Sequence, residues 1–183
     1  MSYCTVSDIR EYLDIEGAGD DALIDMLIAA AEQAIDRHCN RTFEAISDST
    51  FYIDAVGEHV RGRSLFFDTI GDLCDITTVT NGDGVEVASD EYVTIPRNET
   101  PYYGLRLLNS AGKVWTYTTD WESAISIAGK WAYSETAPND VKQACIRWAS
   151  YLYRQKDAPV FDTTAIPEAG VITTPQGIPV DVR

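Results

Sequence analysis

The chain has 183 residues, of which 45% are hydrophobic, and its formal net charge is −15. This size and composition supply enough apolar side chains for one domain with a sizeable core. The charge excludes a protein that grips nucleic acid through its phosphates, and it argues against docking on an anionic membrane. No apolar run approaches a membrane span. The N-terminus also lacks the basic start and apolar segment of a signal peptide.

A short helix is predicted over residues 5–15. Thr5 is a good N-cap, and Asp8 lies three residues later, where the acid of a capping box belongs. Ile9, Tyr12 and Leu13 are predicted to form the apolar face of this helix, and the Gly-Ala-Gly run that begins at Gly17 ends it.

A second, longer helix is predicted over residues 20–39, where Asp20 supplies a cap and Asp21 a favourable charge at the positive end of the helix. Its apolar residues form two adjacent stripes, more than one core contact requires. The first stripe comprises Leu23, Leu27, Ala30 and Ala34, and the second comprises Ile24, Ile28, Ala31, Ile35 and Cys39. Two interpretations remain open: the helix is buried inside one domain, or one stripe faces the core and the other a neighbouring subunit.

Residues 41–133 are predicted to be rich in β-strands, forming a small antiparallel sandwich or an open barrel. The strongest hairpin signal is the Asn-Gly-Asp-Gly run at 81–84, which lies between two Val/Thr-rich segments. The candidate strands are 51–53, 64–67, 76–80, 91–95, 105–108, 114–116 and 124–128.

A third helix is predicted over residues 138–156, because Pro138 suits a first helical turn and Asp140 adds a favourable negative charge there. Its apolar stripe runs from Val141 to Leu152 at helical spacing. The chain is therefore predicted to be α+β: a helical bundle of two N-terminal helices and one C-terminal helix, with an inserted antiparallel β domain. The two helical ends must then pack together across the insertion.

The last segment, residues 157–183, contains four prolines and no helical period. It is predicted to be an extended C-terminal arm that pairs with another chain, and a frayed tail is the alternative. The predicted domains are thus 1–40 and 134–156 for the helical base, 41–133 for the β insertion, and 157–183 for the arm.

The sequence lacks recognisable catalytic and cofactor motifs. Its two histidines have no Cys or carboxylate at metal-ligand spacing, so no metal is predicted, and no cofactor is predicted either. The four cysteines lie far apart along the chain and are expected to be reduced thiols. Carboxylate pairs such as Asp120 with Glu122 are expected by chance among 29 acidic residues. The four tryptophans suit core packing better than a sugar platform.

The order of these elements resembles the head–tail connector (adaptor, or head-completion) proteins of tailed bacteriophages. The matching segments are the short helix VSDIREYL at 6–13, the longer helix that begins DDALIDMLIAAA at 20–31, and the Pro-led helix APNDVKQA at 137–144. The resemblance covers about residues 5–156. The β segment is longer than in the shortest members of that family, and we interpret the extra length as an inserted β domain.

The resemblance implies a non-enzymatic structural protein of the virion neck, assembled in the bacterial cytoplasm. It implies a homo-oligomeric ring, commonly a dodecamer, that sits under the portal protein and gives the tail or stopper protein a docking surface. The ring would extend the DNA channel, and DNA would pass through it without specific binding.

Three sets of residues are candidates for these roles. The ring interface would use Ile24, Ile28, Ala31 and Ile35. The portal-docking arm would use Val171, Ile172, Ile178, Val180 and Val182. The acidic channel candidates are Asp14, Glu16, Asp20, Asp21 and Asp25, for which a solvated outer face is the alternative.

Two other functions remain open. One is a soluble hydrolase or carbohydrate-binding module built on the β segment. The other is a different phage neck or tail-completion protein, which would share most of these features.

Overall fold

The computed structural model describes residues 2–156 with their side chains, and the backbone of residues 161–166 and 170–175. The described part contains three α-helices and two antiparallel sheets, besides a C-terminal hairpin, so the predicted α+β class is confirmed. The chain forms two compact units. We call residues 36–138 the β unit, and residues 2–35 together with those from 139 onward the helical unit.

The helical unit contains α1 (Val6–Leu13), most of α2 (Asp21–Cys39) and α3 (Asn139–Gln155). The predicted capping box is present, because the Thr5 side chain accepts from the backbone of Asp8 and the Asp8 carboxylate accepts from the backbone of Thr5. Helix α1 ends earlier than predicted, at Leu13, and Asp14 caps it with a left-handed backbone, φ 56°. Tyr12, which was predicted to lie on the apolar face of α1, is instead 52% exposed.

The core of the helical unit is built from β-branched and small side chains. Helix α2 contributes the residues that recur on one stripe, and α3 contributes a patch that includes two of the smallest. The buried apolar residues are Tyr3, Cys4, Ile9, Ile24, Ile28, Ala31, Ile35, Cys145, Ile146 and Ala149.

Polar contacts tie the N-terminal residues to both long helices. The backbone N–H of Tyr3 donates to Glu32 at 2.6 Å. The Lys142 ammonium lies 2.9 Å from the Asp8 carboxylate, which joins α3 to the start of α1. Burial would raise the pKa of Asp8, but hydrogen bonds from Thr5 and Lys142 outweigh it and hold that pKa below its ordinary value.

The β unit contains two antiparallel sheets. Strands β1 (Ser49–Ile53), β4 (Asp75–Thr80) and β7 (Ile125–Lys130) form one sheet in the order β1-β7-β4. Strands β2 (Val60–Arg61), β3 (Ser64–Phe66), β5 (Tyr92–Ile95) and β6 (Gly104–Leu107) form the other in the order β2-β3-β6-β5, and a short 3₁₀ helix follows at Asn109–Ala111.

One large apolar core holds the β unit together. Inward-facing residues of the strands alternate with outward-facing ones, as expected for sheets buried on one face. The buried cluster comprises Ile53, Ala55, Leu65, Phe67, Leu73, Val79, Val87, Leu105, Leu107, Trp115, Ile125 and Ile127.

The predicted hairpin at 81–84 is confirmed, whereas the predicted strand at 114–116 is wrong. Asn81 donates its backbone N–H to the Val85 carbonyl at 2.9 Å, and its buried side chain bonds Gly82 N–H at 3.0 Å, Thr116 N–H at 3.1 Å and the Val114 carbonyl at 2.9 Å. Part of the backbone of residues 114–116 therefore hydrogen-bonds to the Asn81 side chain and not to a neighbouring strand.

Candidate interaction surfaces

The structure corrects the residues assigned to the ring interface. Ile24, Ile28, Ala31 and Ile35 are 1%, 2%, 0% and 7% exposed within a single protomer. A side chain buried in its own chain offers almost no surface to a neighbour. This stripe is therefore the core-facing side of α2, which both interpretations require of one stripe.

The side of α2 that faces away from the core offers a small apolar surface. Leu23 and Leu27 are half-buried, so the second apolar stripe is also partly covered. Met26 is 61% exposed and Ala30 is exposed. Together with Ala22, Ala29 and Cys39, which are exposed as well, these two residues form the apolar surface that the helix leaves available.

Two of the five acidic channel candidates are already engaged by side chains of the helical unit. Asp20 accepts from the Lys156 ammonium at 2.6 Å and from the Tyr153 hydroxyl. These two donors hold the pKa of Asp20 below its ordinary value, and the same contacts raise the pKa of Lys156. Asp21 faces Arg10 at 3.6 Å.

The remaining three acidic candidates are exposed. Asp14, Glu16 and Asp25 form no ion pair with any residue between 2 and 156. They are therefore the predicted channel residues whose charge is not offset by a basic partner in the described chain.

The candidate docking arm contains a β-hairpin. Strand β8 (Phe161–Ile166) pairs with β9 (Gly170–Pro175) in antiparallel register, with Ala165 opposite Val171 and Thr164 opposite Ile172. Val171 and Ile172 thus lie on a strand that already has one partner in its own chain, which leaves the outer edges of the hairpin for another chain. Ile178, Val180 and Val182 lie outside the described residues.

A cleft of about 680 Å³ opens at the end of α2 in the β unit. On its wall, Arg41 pairs with Asp72 at 2.7 Å and lies 5.2 Å from the centre of the Tyr133 ring. Trp131 also lines the cleft, with its ring centre 4.4 Å from that of Phe51. Its buried indole N–H has no hydrogen-bond partner among the residues that the structure describes. Across the described residues, no cluster of His, Cys, Asp or Glu is arranged to hold a metal ion.

One residue of the carboxylate pair and one of the four tryptophans have structural roles in the described chain. The Asp120 carboxylate accepts the backbone N–H of Glu122 at 3.2 Å, which closes a turn. Trp115 is 7% exposed and donates its indole N–H to the Arg63 carbonyl at 2.9 Å, so it belongs to the core and not to a sugar platform. In residues 2–156 no helix is long and apolar enough to cross a membrane.

The fold brings together two cysteines that are 141 residues apart. The Cys4 and Cys145 sulfurs lie 3.4 Å from each other, and both are buried thiols without a disulfide between them. The spacing of the cysteines along the sequence therefore did not show that these two are neighbours in space. Cys74 is buried as well, and burial raises the pKa of its thiol.

Sequence analysis missed one surface, the outer face of the four-stranded sheet. We call it the arginine face, and it comprises Arg61, Ser64, Phe66, Val93, Ile95 and Arg106. Leu105 and Leu107 point into the core, so the alternation of a strand places Arg106 between them on the other side. The Gly-Leu-Arg-Leu run was a signal for this orientation, because it alternates polar and apolar residues over its last three positions.

A family model described as "Head completion protein" matches residues 3–183. The chain belongs to the head completion protein family. This match confirms the family resemblance inferred from the order of its helices and strands. No curated protein matches the sequence.

Two solved structures share the fold of this head completion protein. One is a chain in the "Neck of empty GTA particle computed with C6 symmetry", with 16% identity, a TM-score of 0.55, and coverage of 88% of this chain and 82% of that chain. The other is a chain in the "Virion of native gene transfer agent (GTA) particle", with 18% identity, a TM-score of 0.51 and the same coverage. At these identities the likeness concerns the fold.

Proposed function

We propose that this protein forms a ring in the neck of a tailed particle, between the portal of the DNA-filled head and the tail or stopper protein. The observation that carries the proposal is the family match over residues 3–183. The shared fold with a chain from a gene transfer agent neck supports the same location. That neck was computed with C6 symmetry, and a dodecamer contains the six-fold axis that such a calculation imposes.

The acidic residues suit a passage for DNA. Asp14, Glu16 and Asp25 are exposed and lack basic partners among residues 2–156, so they would repel phosphates if they face the channel. Asp20 and Asp21 contribute less, because Lys156 and Arg10 offset their charges. We infer that DNA passes the ring without specific binding.

The C-terminal hairpin is the proposed attachment to the portal. The outer edges of β8 and β9 present backbone donors and acceptors that another sheet edge can pair with. In a ring, many copies of a weak contact would act together through their effective concentration. Ile178, Val180 and Val182 are part of the same proposal as the apolar residues of the arm.

Deletion of the gene from the parent genome tests the proposed function. We expect DNA-filled heads that lack tails, together with free tails, and purified protein should restore tail attachment in a mixture of the two. Complete tailed particles made without this protein would contradict the proposal.

A truncation before β8, after residue 160, tests the role of the arm separately. The shortened protein should keep the thermal unfolding transition of the full chain and fail to bind portal-bearing heads. The matched control is the full chain carrying Arg154→Glu, an exposed change on α3 that should leave head binding intact. Head binding by the truncated protein would show that the hairpin is not the attachment.

A further inference from the structure

We propose that the arginine face of one protomer binds an acidic surface of the next copy of this chain, in a head-to-tail contact. The inference rests on the proposed function, since it assigns a surface to the self-association that a ring requires. Its residues lie entirely in the β unit.

The strand register arranges this face in two rows across the sheet. Arg61 lies opposite Ser64, Ser64 opposite Arg106, and Arg106 opposite Val93. In the second row, Phe66 lies opposite Gly104, which lies opposite Ile95. A single face therefore presents two arginines beside an aromatic ring and two aliphatic side chains.

The Phe66 side chain lies beside Gly104 on this face, because the two residues are paired across β3 and β6. A Cβ at Gly104 would lie 2.8 Å from the Leu65 carbonyl oxygen and 3.1 Å from the Phe66 ring, so glycine permits this close approach. The Arg61 guanidinium carbon lies 5.4 Å from the centre of that ring. Arginine over an aromatic ring, with aliphatic neighbours, is a composition enriched at protein interfaces.

Neither arginine has an acidic partner in residues 2–156. Lys113 and Lys130, which also belong to the β unit, pair with Glu91 and Glu135. Arg61 and Arg106 are exposed and form no ion pair with a described residue, although the chain carries 29 acidic against 14 basic residues. The charge of this face is complementary to most of the remaining surface of the same chain, which makes a second copy the occupant.

The charges also determine the kind of contact. A two-fold contact would place the arginine face of one copy against the same face of another, and like charges would repel. Binding to a different, acidic surface avoids this repulsion and leaves one surface of each type free at the ends. Such a heterologous contact generates rings when the rotation closes.

The first test compares charge reversals by sedimentation velocity and light scattering over a range of salt concentrations. Arg61→Glu/Arg106→Glu should weaken self-association by about tenfold or more, because it replaces attraction with repulsion at the contact. Arg106→Lys should retain association. The single variant Arg106→Glu should also weaken association, and its matched control is Arg154→Glu, which makes the same charge change on exposed α3. Circular dichroism melts should be unchanged in all of these variants, and Arg106→Gln replaces Arg106→Glu if the latter does not fold.

The second test mixes the double variant with the wild type. The double variant keeps its acidic surface, so it should accept the arginine face of a wild-type copy and stop further addition. Rings should then shorten to small oligomers as the variant fraction rises. Strict one-to-one dimers of variant and wild type at every variant fraction, in which glutamates face arginines, would instead indicate a two-fold contact and contradict the inference.

Three results would overturn the inference. These are association of the double variant as tight as that of the wild type, a wild type that stays monomeric at its highest attainable concentration, and binding of duplex DNA by the wild type that the double variant loses. A monomeric wild type that nevertheless restores tail attachment would reject this inference and leave the proposed function standing. Self-association that the double variant loses, in a protein whose gene deletion still leaves complete tailed particles, would do the reverse.

Discussion

The β unit and the helical unit differ in the contacts that stabilise each of them internally. The β unit buries a cluster of large side chains, such as Phe67, Leu105 and Ile127, in one continuous core. The helical unit buries smaller ones, such as Ala31 and Ala149, and adds polar ties between residues far apart in the chain. These hydrogen bonds and ion pairs join residues on either side of the long insertion. We infer that they help to fix the position of α3 against the N-terminal segment, which a core of small side chains specifies less well.

The largest effect is expected for Ile28→Asp in the helical unit. Ile28 is 2% exposed, so the new carboxylate would be buried without a partner, at a cost of about 4 kcal/mol or more in the free energy of unfolding. Met26→Asp on the same helix is the matched control, because Met26 is 61% exposed. Urea denaturation followed by circular dichroism distinguishes them. Equal stability of the two variants would return Ile28 to the surface and reopen its assignment to a subunit interface.

A smaller loss, about 3–5 kcal/mol, is expected for Phe67→Ala in the β unit. Phe67 is fully buried and contacts Trp131 at a ring separation of 5.3 Å. Phe66→Ala, one residue earlier on the half-buried arginine face, should cost clearly less. Tryptophan fluorescence during denaturation reports on this core. If both changes cost the same, the inward and outward sides of β3 are wrongly assigned.

Asn81→Ala should destabilise the β unit by about 1–3 kcal/mol, because two backbone N–H groups and one carbonyl would lose their partner in a buried place. Asn109→Ala removes an exposed amide from the same unit and should change stability by less than about 0.5 kcal/mol. Thermal unfolding of both variants measures the difference. A neutral Asn81→Ala would mean that the 81–84 turn and the 114–116 segment hold their positions without this side chain.

The smallest effect is expected for the stability of the helical unit at acidic pH. The pKa values of Asp8 and Asp20 are both below the ordinary value of 3.8. A carboxylate with a lowered pKa stabilises the folded state above its unfolded value, and this contribution disappears as the pH falls through the folded value. The helical circular dichroism signal should therefore weaken as the pH falls below 3.8 and through the lowered pKa values of these two carboxyls. The double variant Asp8→Asn/Asp20→Asn should lose less of this signal over the same pH change. Glu91→Gln, which removes the Lys113 contact in the β unit, should leave the helical response unchanged.

Local signals predicted the helices well. The capping box of α1 needs only Thr5 and Asp8, which are three residues apart, and the structure forms it. The turn at 81–84 likewise follows from its own four residues. Strand β2 was missed because two residues are too few to show a period. The run at 114–116 has strand composition, but a side chain from residue 81 takes up part of its backbone hydrogen bonding.

The candidate site residues depended on contacts that a sequence does not display. The two stripes of α2 are adjacent and equally apolar, so composition alone did not decide which one enters the core. The sequence showed no partner for Asp20, because Tyr153 lies 133 residues away, and Asp20 was therefore assigned to the channel. The arginine face was missed for the same reason, since three neighbouring strands from distant parts of the chain place Arg61 and Arg106 on one surface.

Cryo-electron microscopy of complete particles from the parent genome tests the central claim, a connector ring in the neck, most directly. We expect this chain to fit the density as a closed ring between the portal and the tail, with the six-fold axis of the neck passing through its centre. Neck density that is fully accounted for by other chains, with this protein absent from the ring, would contradict that claim.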